Sequence, residues 1–197
     1  MSNTQSNKES TNNSINITDE NASAAAAADD TNDIENTTNI ESEDKLLNDT
    51  WILWYHDPND LNWDISSYKI VSTMTTIRDF WNTYEFMKNN IIENSMLFIM
   101  RKGILPLWED PKNVNGGCWS FKISKGDIKK YWTELSIFLL GENITKKEKL
   151  INGLSISPKK TFCIIKIWNC DKSKNDKTLI NKKMDIPFES CIYKQHK

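Results

Sequence analysis

Two tryptophans and a glutamate in polar loops are the residues of this chain best suited to binding chemistry. Trp63 directly follows the polar segment 57–62, and Trp108 lies in a loop from about residue 104 to 117. Two indoles in such loops can stack against both faces of a flat base. The carboxylate of Glu109 can accept hydrogen bonds from the N1–H and the amine of guanine. These residues indicate a guanine-binding slot, with core packing of each tryptophan as the alternative.

Charge is divided unevenly along the chain. Residues 1–44 carry ten acidic side chains and one basic side chain, which gives a net charge of −9. The whole chain has a net charge of −2, so residues 45–197 have a net charge of +7. Residues 1–45 contain no aromatic side chain, which predicts a disordered acidic and polar tail. Residues 46–197 are predicted to form one basic domain. Its charge favours an anionic partner such as nucleic acid, with a solvated lysine surface as the alternative.

The sequence offers little for catalysis or for metal binding. The four cysteines form no C-x-x-C pair, and only His56 and His196 could complete a zinc site. No nucleophile elbow, phosphate loop or metal-ligand spacing is present, so no enzyme activity, metal or other cofactor is predicted. No signal peptide opens the chain and no apolar stretch approaches a membrane span. A soluble, intracellular protein with reduced cysteines is expected.

Hydrophobic periodicity predicts the elements that position these loops. Strands are predicted at 51–55, 68–71, 96–100 and 119–123, followed by a hairpin about the turn 158–160, a short lysine-rich helix and a last strand near 191–193. Thr76 and Asp79 resemble a capping box that opens one helix, and a second helix over 128–140 ends at Gly141. This pattern predicts an α+β fold, an antiparallel sheet with helices on one face. Four tryptophans lie inside the patterns and are expected in the core: Trp51, Trp54, Trp119 and Trp132.

The order and spacing of all eight tryptophans resemble the translation initiation factor 4E family. The segments that carry this resemblance are Trp51-Ile-Leu-Trp54, Trp63, Ile77-Arg-Asp-Phe-Trp81, Gly103-Ile-Leu-Pro-Leu-Trp108-Glu109-Asp-Pro-Lys-Asn113, Gly116-Gly-Cys-Trp119, Tyr131-Trp132-Thr-Glu134 and Ile165-Lys-Ile-Trp168. The resemblance covers about residues 46–168. It implies a curved antiparallel sheet with helices on its convex face and a slot for the 5′ cap of mRNA on its concave face.

The resemblance also implies a role for each slot residue. Trp63 and Trp108 would sandwich the 7-methylguanine ring, Glu109 would bind its Watson–Crick edge, and Trp168 would contact the N7-methyl group. Methylation makes the base cationic, so stacking on indole gains a cation–π contribution of about 1–2 kcal/mol.

The phosphate side departs from the family pattern. Cys118 and Ser157 stand where the family has arginines that bind the cap triphosphate. The candidate replacements are lysines, in the order Lys160, Lys159 and Lys166, with a solvated surface charge as the alternative for each. The family also continues past the last predicted strand with a loop that helps to cover the cap, so a more open slot is expected here.

The convex face of the family binds a short helix of scaffold protein 4G or of a 4E-binding repressor. The residues in those places here are Trp81, Ile77, Glu134 and Ile137. Two neighbouring contacts are altered, because Lys45-Leu46-Leu47 replaces a His-Pro-Leu segment and Thr133 replaces a leucine. The sequence therefore predicts a partner that binds through a short helix, and leaves open whether it is the scaffold protein or a repressor.

The predicted function is binding of the 7-methylguanosine cap of mRNA and its recruitment for translation initiation through the scaffold. The alternative is a cap-binding repressor or decoy that does not engage the scaffold. The expected protein is a monomer outside that complex, has no membrane partner, and resides in the cytoplasm with the nucleus as a second compartment.

Overall fold

The computed structural model describes residues 45–87 and 89–196, so the tail predicted at 1–45 lies outside the described residues except for Lys45. The strands of the described part are β1 (Leu46–His56), β2 (Tyr68–Thr76), β3 (Met96–Arg101), β4 (Gly117–Ser124), β5 (Ile151–Pro158), β6 (Phe162–Asn169) and β7 (Ile192–Gln195). Its α-helices are α1 (Ile77–Phe86), α2 (Asn89–Asn94) and α3 (Ile128–Leu140). None of the described helices is both long and apolar enough to cross a membrane.

The strands form one curved antiparallel sheet in the order β2-β1-β3-β5-β6-β4-β7. Strand alternation sends Trp51 and Leu53 of β1 into the main core beneath the helices, while Trp54 points to the opposite face. The helices contribute Phe80 and Trp132 to the main core. None of the described α-helices contributes to the opposite face, which carries a smaller apolar cluster formed by Trp54, Tyr68, Phe98, Met100, Ile104 and Trp168. The predicted α+β architecture is confirmed, and so is the burial of the four core tryptophans.

Helix α1 begins at the capping box that its sequence predicts. The hydroxyl of Thr76 accepts a hydrogen bond from the N–H of Asp79 (3.1 Å), and the Asp79 carboxylate accepts from the N–H of Thr76 (2.8 Å). The N–H of Thr75 donates to the same carboxylate (2.7 Å). That bond is the main cause that lowers the pKa of Asp79 from its ordinary value.

Replacing Asp79 with alanine is expected to lower the free energy of unfolding by about 1 kcal/mol at pH 7. Because the pKa of Asp79 is lower in the folded state, its contribution is present above the unfolded value of 3.8 and is lost as pH falls through the folded value. Denaturant titrations at pH 7 and at successively lower pH test this. A gap between wild type and variant that stays constant below pH 3.8 would contradict it.

The end of α3 is where the sequence predicts it, with Gly141 directly after the helix at an ordinary φ of −80°. The next residue, Glu142, has a left-handed conformation with φ 55°. The carboxylate of Glu142 accepts hydrogen bonds from Arg101, which offset the cost of this conformation for a non-glycine residue. The lysine-rich segment forms only a three-residue 3-10 turn, Lys177–Leu179, and the short helix α2 was not predicted.

Candidate functional site

The helix-free face of the sheet holds a cavity of about 460 Å³. Six of the seven residues that the sequence assigns to the base and phosphates line it: Trp63, Trp108, Glu109, Trp168, Lys159 and Lys166. Lys160 is exposed on the β5–β6 turn and lies outside this lining. Residues from loops far apart in sequence therefore meet at one place, although the role of each remains a prediction.

Trp63 is held by a histidine that stacks behind it. The imidazole of His56 lies parallel to the indole, with ring centroids 4.4 Å apart and an interplanar angle of 4°. His56 is fully buried at the end of β1, and its Nε2 donates to the carbonyl of Asn62 (2.8 Å). Trp63 is still 52% exposed and lines the cavity. His56 thus fixes one face of the indole and leaves the other free for a ligand.

Two buried polar side chains hold the loop that carries Trp108 and Glu109. The carboxylate of Asp110 accepts from the N–H of Leu105 (2.9 Å), while the amide of Asn113 donates to two loop carbonyls (2.9 and 2.8 Å). Asn113 is fully buried, and Asn152 of β5 donates to its side-chain oxygen (2.9 Å). The loop is therefore tied to the sheet, and its indole and carboxylate are presented at the cavity.

Aromatic side chains from the strands form the floor of the cavity. Trp168 is only 2% exposed, and its indole N–H donates to the hydroxyl of Ser155 (2.9 Å). Phe98 lies edge-on to both Trp168 and Tyr68, with centroids 6.3 and 5.4 Å away. Burial, together with the negative charge of Glu109, raises the pKa of Tyr68 to about 12. Tyr68 thus stays a neutral phenol at physiological pH in a mostly apolar, base-sized slot.

Two lysines supply positive charge at one side of the slot. Lys166 lies two residues before Trp168 on β6, and its Nζ is 5.4 Å from the centroid of Trp108. Burial lowers the pKa of Lys166, and the nearby charges of Lys159 and Lys194 lower it further. In the described part of the chain no carboxylate forms an ion pair with Lys166. This desolvated and unneutralised ammonium is a natural place for an anion.

His56 and His196 are site residues that the sequence does not identify as such. The sequence offers both only as candidate metal ligands, but each lies parallel to one slot tryptophan: the ring centroid of His196 is 6.0 Å from that of Trp108, with an interplanar angle of 7°. Its Nδ1 donates to the carbonyl of Asn113 (2.7 Å). Strand alternation predicts that His56 lies on the same face of β1 as Trp54, since the two are two positions apart. No comparable sequence pattern predicts that His196 lies beside Trp108.

Some of the predicted partner residues lie close together on the helix-covered face of the sheet. Trp81 and Ile137 are 45% and 47% exposed. Ile137 lines a groove of about 480 Å³ together with Glu134 and Tyr84, and Trp81 packs edge-on against Tyr84. Ile77 is the first residue of α1, the helix that carries Trp81, and is half-buried.

Two of these positions make contacts within the chain. The carboxylate of Glu134 accepts from the N–H of Asp185 (2.9 Å). The hydroxyl of Thr133, the residue that replaces a leucine of the family, is hydrogen-bonded to Tyr84. This bond gives Thr133 a structural partner that a leucine could not provide.

Comparison with known proteins agrees with the fold. The family described as eukaryotic initiation factor 4E matches residues 46–197. The chain is 27% identical over 167 residues to eukaryotic translation initiation factor 4E-3 of Caenorhabditis elegans, covering 77% of this chain and 66% of that protein. It is 31% identical over 140 residues to factor 4E of Candida albicans, covering 65% and 66%. The matched segment thus spans just under two thirds of each relative.

Solved structures give the same result. The complex of C. elegans eIF4E-3 with the 4E-binding protein Mextli and a cap analog superposes with a TM-score of 0.69 at 26% identity, covering 78% of this chain and 93% of that chain. A schistosome eIF4E complexed with m7GpppG and 4E-BP has a TM-score of 0.60 at 26% identity, covering 66% and 75%. The family match extends over more than half of the chain and includes every residue of the slot. The chain belongs to the eukaryotic initiation factor 4E family.

Proposed function

We propose that this protein binds the 7-methylguanosine 5′ cap of mRNA and recruits the message for translation initiation, in the cytoplasm, through a scaffold protein. One observation carries the proposal: Trp63 and Trp108 line one cavity with Glu109, above the aromatic floor that contains Trp168. The proposed activity is binding, without chemical change of the ligand. The C. elegans and schistosome relatives in complexes with cap ligands support it.

The two indoles provide the affinity for a methylated base. Trp63 and Trp108 remain exposed at the slot, so each can stack on one face of the ring. Methylation at N7 gives the base a positive charge, which adds a cation–π attraction of about 1–2 kcal/mol when the base is desolvated. The carboxylate of Glu109 attracts the same charge and accepts from the N1–H and the amine of guanine. Both contributions favour 7-methylguanine over guanine.

The phosphates of the cap are assigned to Lys166 and Lys159, which line the slot. A lysine attracts phosphate as a point charge and lacks the bidentate geometry of arginine. The gain from adding phosphates to 7-methylguanosine should therefore be large at low salt and should fade as ionic strength rises, because the Debye length falls to about 8 Å at physiological salt. The preference for the methylated base should fade much less.

A Lys159→Met/Lys166→Met double variant tests this assignment. Titrations of 7-methylguanosine, its monophosphate and its triphosphate across ionic strength should show a flatter salt dependence than wild type, with an unchanged preference for the methylated base. A Lys159→Met/Lys160→Met variant separates Lys160, which lies outside the cavity lining, from Lys166. If the first double variant keeps the full salt slope, other residues hold the phosphates.

His56 is expected to act by orienting Trp63. Replacing His56 with alanine removes the stacked ring and the hydrogen bond to Asn62, so Trp63 must be ordered when the ligand binds. The affinity for 7-methyl-GTP should fall about fivefold, and His56→Phe, which restores the stack alone, should recover part of the loss. The readout is cap titration beside thermal unfolding. Equal affinity of the alanine variant and wild type would show that Trp63 needs no support.

Scaffold recruitment is assigned to the groove beside Trp81 on the helix-covered face. The exposure of Trp81 and Ile137 fits a short amphipathic helix that presents its apolar residues on one face. A peptide of the form Tyr-x-x-x-x-Leu-apolar should bind wild type and should fail to bind Trp81→Ala. A peptide that binds neither protein would favour a cap-bound repressor or decoy that recruits no scaffold.

A direct test of cap recognition uses two RNAs of one sequence, one with a 7-methylguanosine cap and one with a 5′ triphosphate. The protein should shift the capped RNA at much lower concentration, and free 7-methyl-GTP should compete. Equal affinity for both RNAs would leave only a general attraction of a basic domain for nucleic acid.

A further inference from the structure

Exposed lysines are concentrated at the end of the sheet where β6 ends and where β4 and β5 begin. Three chain segments lie there: 112–116, which leads into β4, 146–149, which precedes β5, and 170–174, which follows β6. All of their lysines are exposed, and together they are called the basic rim below: Lys112, Lys146, Lys147, Lys149, Lys172 and Lys174. None of these side chains was given a role above.

Backbone hydrogen bonds hold the three segments side by side. The N–H of Lys172 donates to the carbonyl of Asn115 (2.8 Å), which joins the segment after β6 to the one before β4. The N–H of Cys170 donates to the carbonyl of Leu150 (3.0 Å), directly after the segment 146–149. Lysines that are far apart in sequence are therefore brought to one end of the sheet.

Little negative charge neutralises the basic rim. The three segments contain six lysines and two acidic residues, Glu148 and Asp171, which gives them a net charge of +4. Among the residues that the structure describes, Lys147 is the one rim lysine in an ion pair, with its Nζ 3.9 Å from a carboxylate oxygen of Asp171. The rim therefore presents a positive potential that attracts an extended anion.

The residue types of the rim suit the backbone of a nucleic acid better than its bases. The segments 112–116, 146–149 and 170–174 contain no aromatic residue, so they offer no ring on which a base could stack. Their lysines attract phosphates as point charges and carry no information about base sequence. Binding at the rim should therefore depend on the length of a nucleic acid and on salt, and not on its sequence.

The basic rim and the base slot are parts of one connected structure. The loop that presents Trp108 to the slot continues into the segment 112–116. On the phosphate side, β6 extends about 10 Å beyond Lys166 before it ends at Asn169, and the rim segment begins at the next residue. An RNA strand that advances about 3.4 Å per nucleotide must therefore extend at least about three nucleotides past Lys166 to reach the rim.

We propose that the basic rim binds the phosphate backbone of the same capped RNA whose 5′ end lies in the slot, several nucleotides downstream of the cap. This inference rests on the proposed cap binding, because the cap brings the RNA to the protein and makes contact with the rim intramolecular. An RNA is favoured over an acidic protein since the slot already holds one end of it. The rim adds affinity to long capped RNAs and none to cap analogues.

The test compares three ligands: 7-methyl-GTP, the dinucleotide cap in which a triphosphate joins 7-methylguanosine to guanosine, and a capped, unstructured RNA of about 20 nucleotides. Wild type should bind the long RNA about tenfold more tightly than the dinucleotide cap at low salt. The variant Lys146→Gln/Lys172→Gln/Lys174→Gln should lose most of this gain. Its salt slope for the long RNA should fall by about 2, at about 0.7 for each lost phosphate contact. Its affinity for both short ligands should stay within about twofold of wild type.

A matched control removes the same number of exposed lysines from other surfaces, Lys69→Gln/Lys122→Gln/Lys129→Gln. This control should keep the length-dependent gain, and thermal unfolding of both variants should stay near that of wild type. An equal loss in the two variants would show a general attraction of the basic domain, and the rim would not be a site.

The remaining outcomes separate this inference from the proposed function. If the rim variant binds the long RNA as wild type does, the rim does not hold RNA, and an acidic protein becomes its partner class. If wild type binds 7-methyl-GTP but gains nothing from RNA length, the inference is wrong while cap binding stands. If wild type binds neither short ligand, it is cap binding itself that fails, and the inference fails with it.

Discussion

Replacing Glu109 with alanine is expected to lower the affinity for 7-methyl-GTP about 30-fold, because two hydrogen bonds from guanine to a carboxylate are lost and contribute about 2 kcal/mol or more together. The two donors of the base would then be buried in the slot without partners. The attraction between the carboxylate and the cationic base would disappear as well. Glu109→Gln should lower the affinity by a similar factor. The glutamine amide has only one acceptor oxygen, and its NH₂ group would face one of the two donors of guanine.

The measurement is a titration of each variant with 7-methyl-GTP, beside Glu148→Gln as an exposed carboxylate control. Trp108→Ala provides the matching test of the stacking wall and should cost about 1–3 kcal/mol of binding free energy. Thermal unfolding of every variant should stay near that of wild type, because Glu109 and Trp108 are exposed. A Glu109→Ala protein that binds as well as wild type would remove guanine recognition from this loop.

Arg101 is expected to be the most costly single charge to remove from the fold. Its guanidinium donates to Asp49 (2.5 Å), to both oxygens of Glu142 (2.5 and 3.1 Å) and to the carbonyl of Ile151 (2.9 Å). It also lies 4.5 Å from the ring centroid of the fully buried Trp51. Burial alone would lower the pKa of Arg101, but the hydrogen bonds to the two carboxylates raise it. The group joins β1, β5 and the end of α3.

Replacing Arg101 with methionine should therefore lower the free energy of unfolding by about 3 kcal/mol, since two carboxylates and a carbonyl lose their donor. The value is at the low end for a broken buried pair because the side chain of Asp49 is 31% exposed. Arg101→Lys should recover only part of the loss, and the exposed neighbour Lys102→Met serves as the control. Denaturant titration gives the result, and a loss below about 0.5 kcal/mol, typical of a surface change, would contradict it.

Acidification should weaken the same cluster. Burial acts to raise the pKa of Asp49, but the hydrogen bond from Arg101 and the positive charges around it lower it overall. A carboxylate with a lowered folded pKa stabilises the protein above its unfolded value of 3.8, and this contribution is lost as pH falls through the folded value. The difference in unfolding free energy between wild type and Arg101→Met should shrink in that range.

Much of the fold was readable from the sequence because each element obeys a local rule. Alternation predicted the strands, and the Thr76–Asp79 capping box predicted where α1 begins. Gly141 predicted where α3 ends, and the helix ends there. The exceptions depend on tertiary contacts. The lysine-rich segment has its apolar residues Leu179 and Ile180 side by side and not at helical spacing, so it forms only a short turn, after which Ile180 packs into the main core.

That Trp63, Trp108 and Glu109 line one cavity was predictable, because residue type and loop position agree for each of them. The supports of this site were not, because they depend on which distant strands become neighbours. The contact of His196 with the carbonyl of Asn113 joins residues 83 positions apart. For the same reason the sequence does not show that Lys166 of β6 lines the cavity while Lys160 of the turn does not.

Cap recognition through methyl-dependent stacking is tested most directly by titrating the protein with 7-methyl-GTP and with GTP, followed by tryptophan fluorescence. The two ligands share the phosphates and the Watson–Crick edge, so only the charge and the methyl group of the base differ. With Trp63 and Trp108 as the stacking walls, 7-methyl-GTP should quench fluorescence strongly and bind at least tenfold more tightly, consistent with a difference of about 1.4 kcal/mol or more. Equal affinities, or quenching that Trp108→Ala leaves unchanged, would contradict the assignment of this cavity as a slot for the methylated cap.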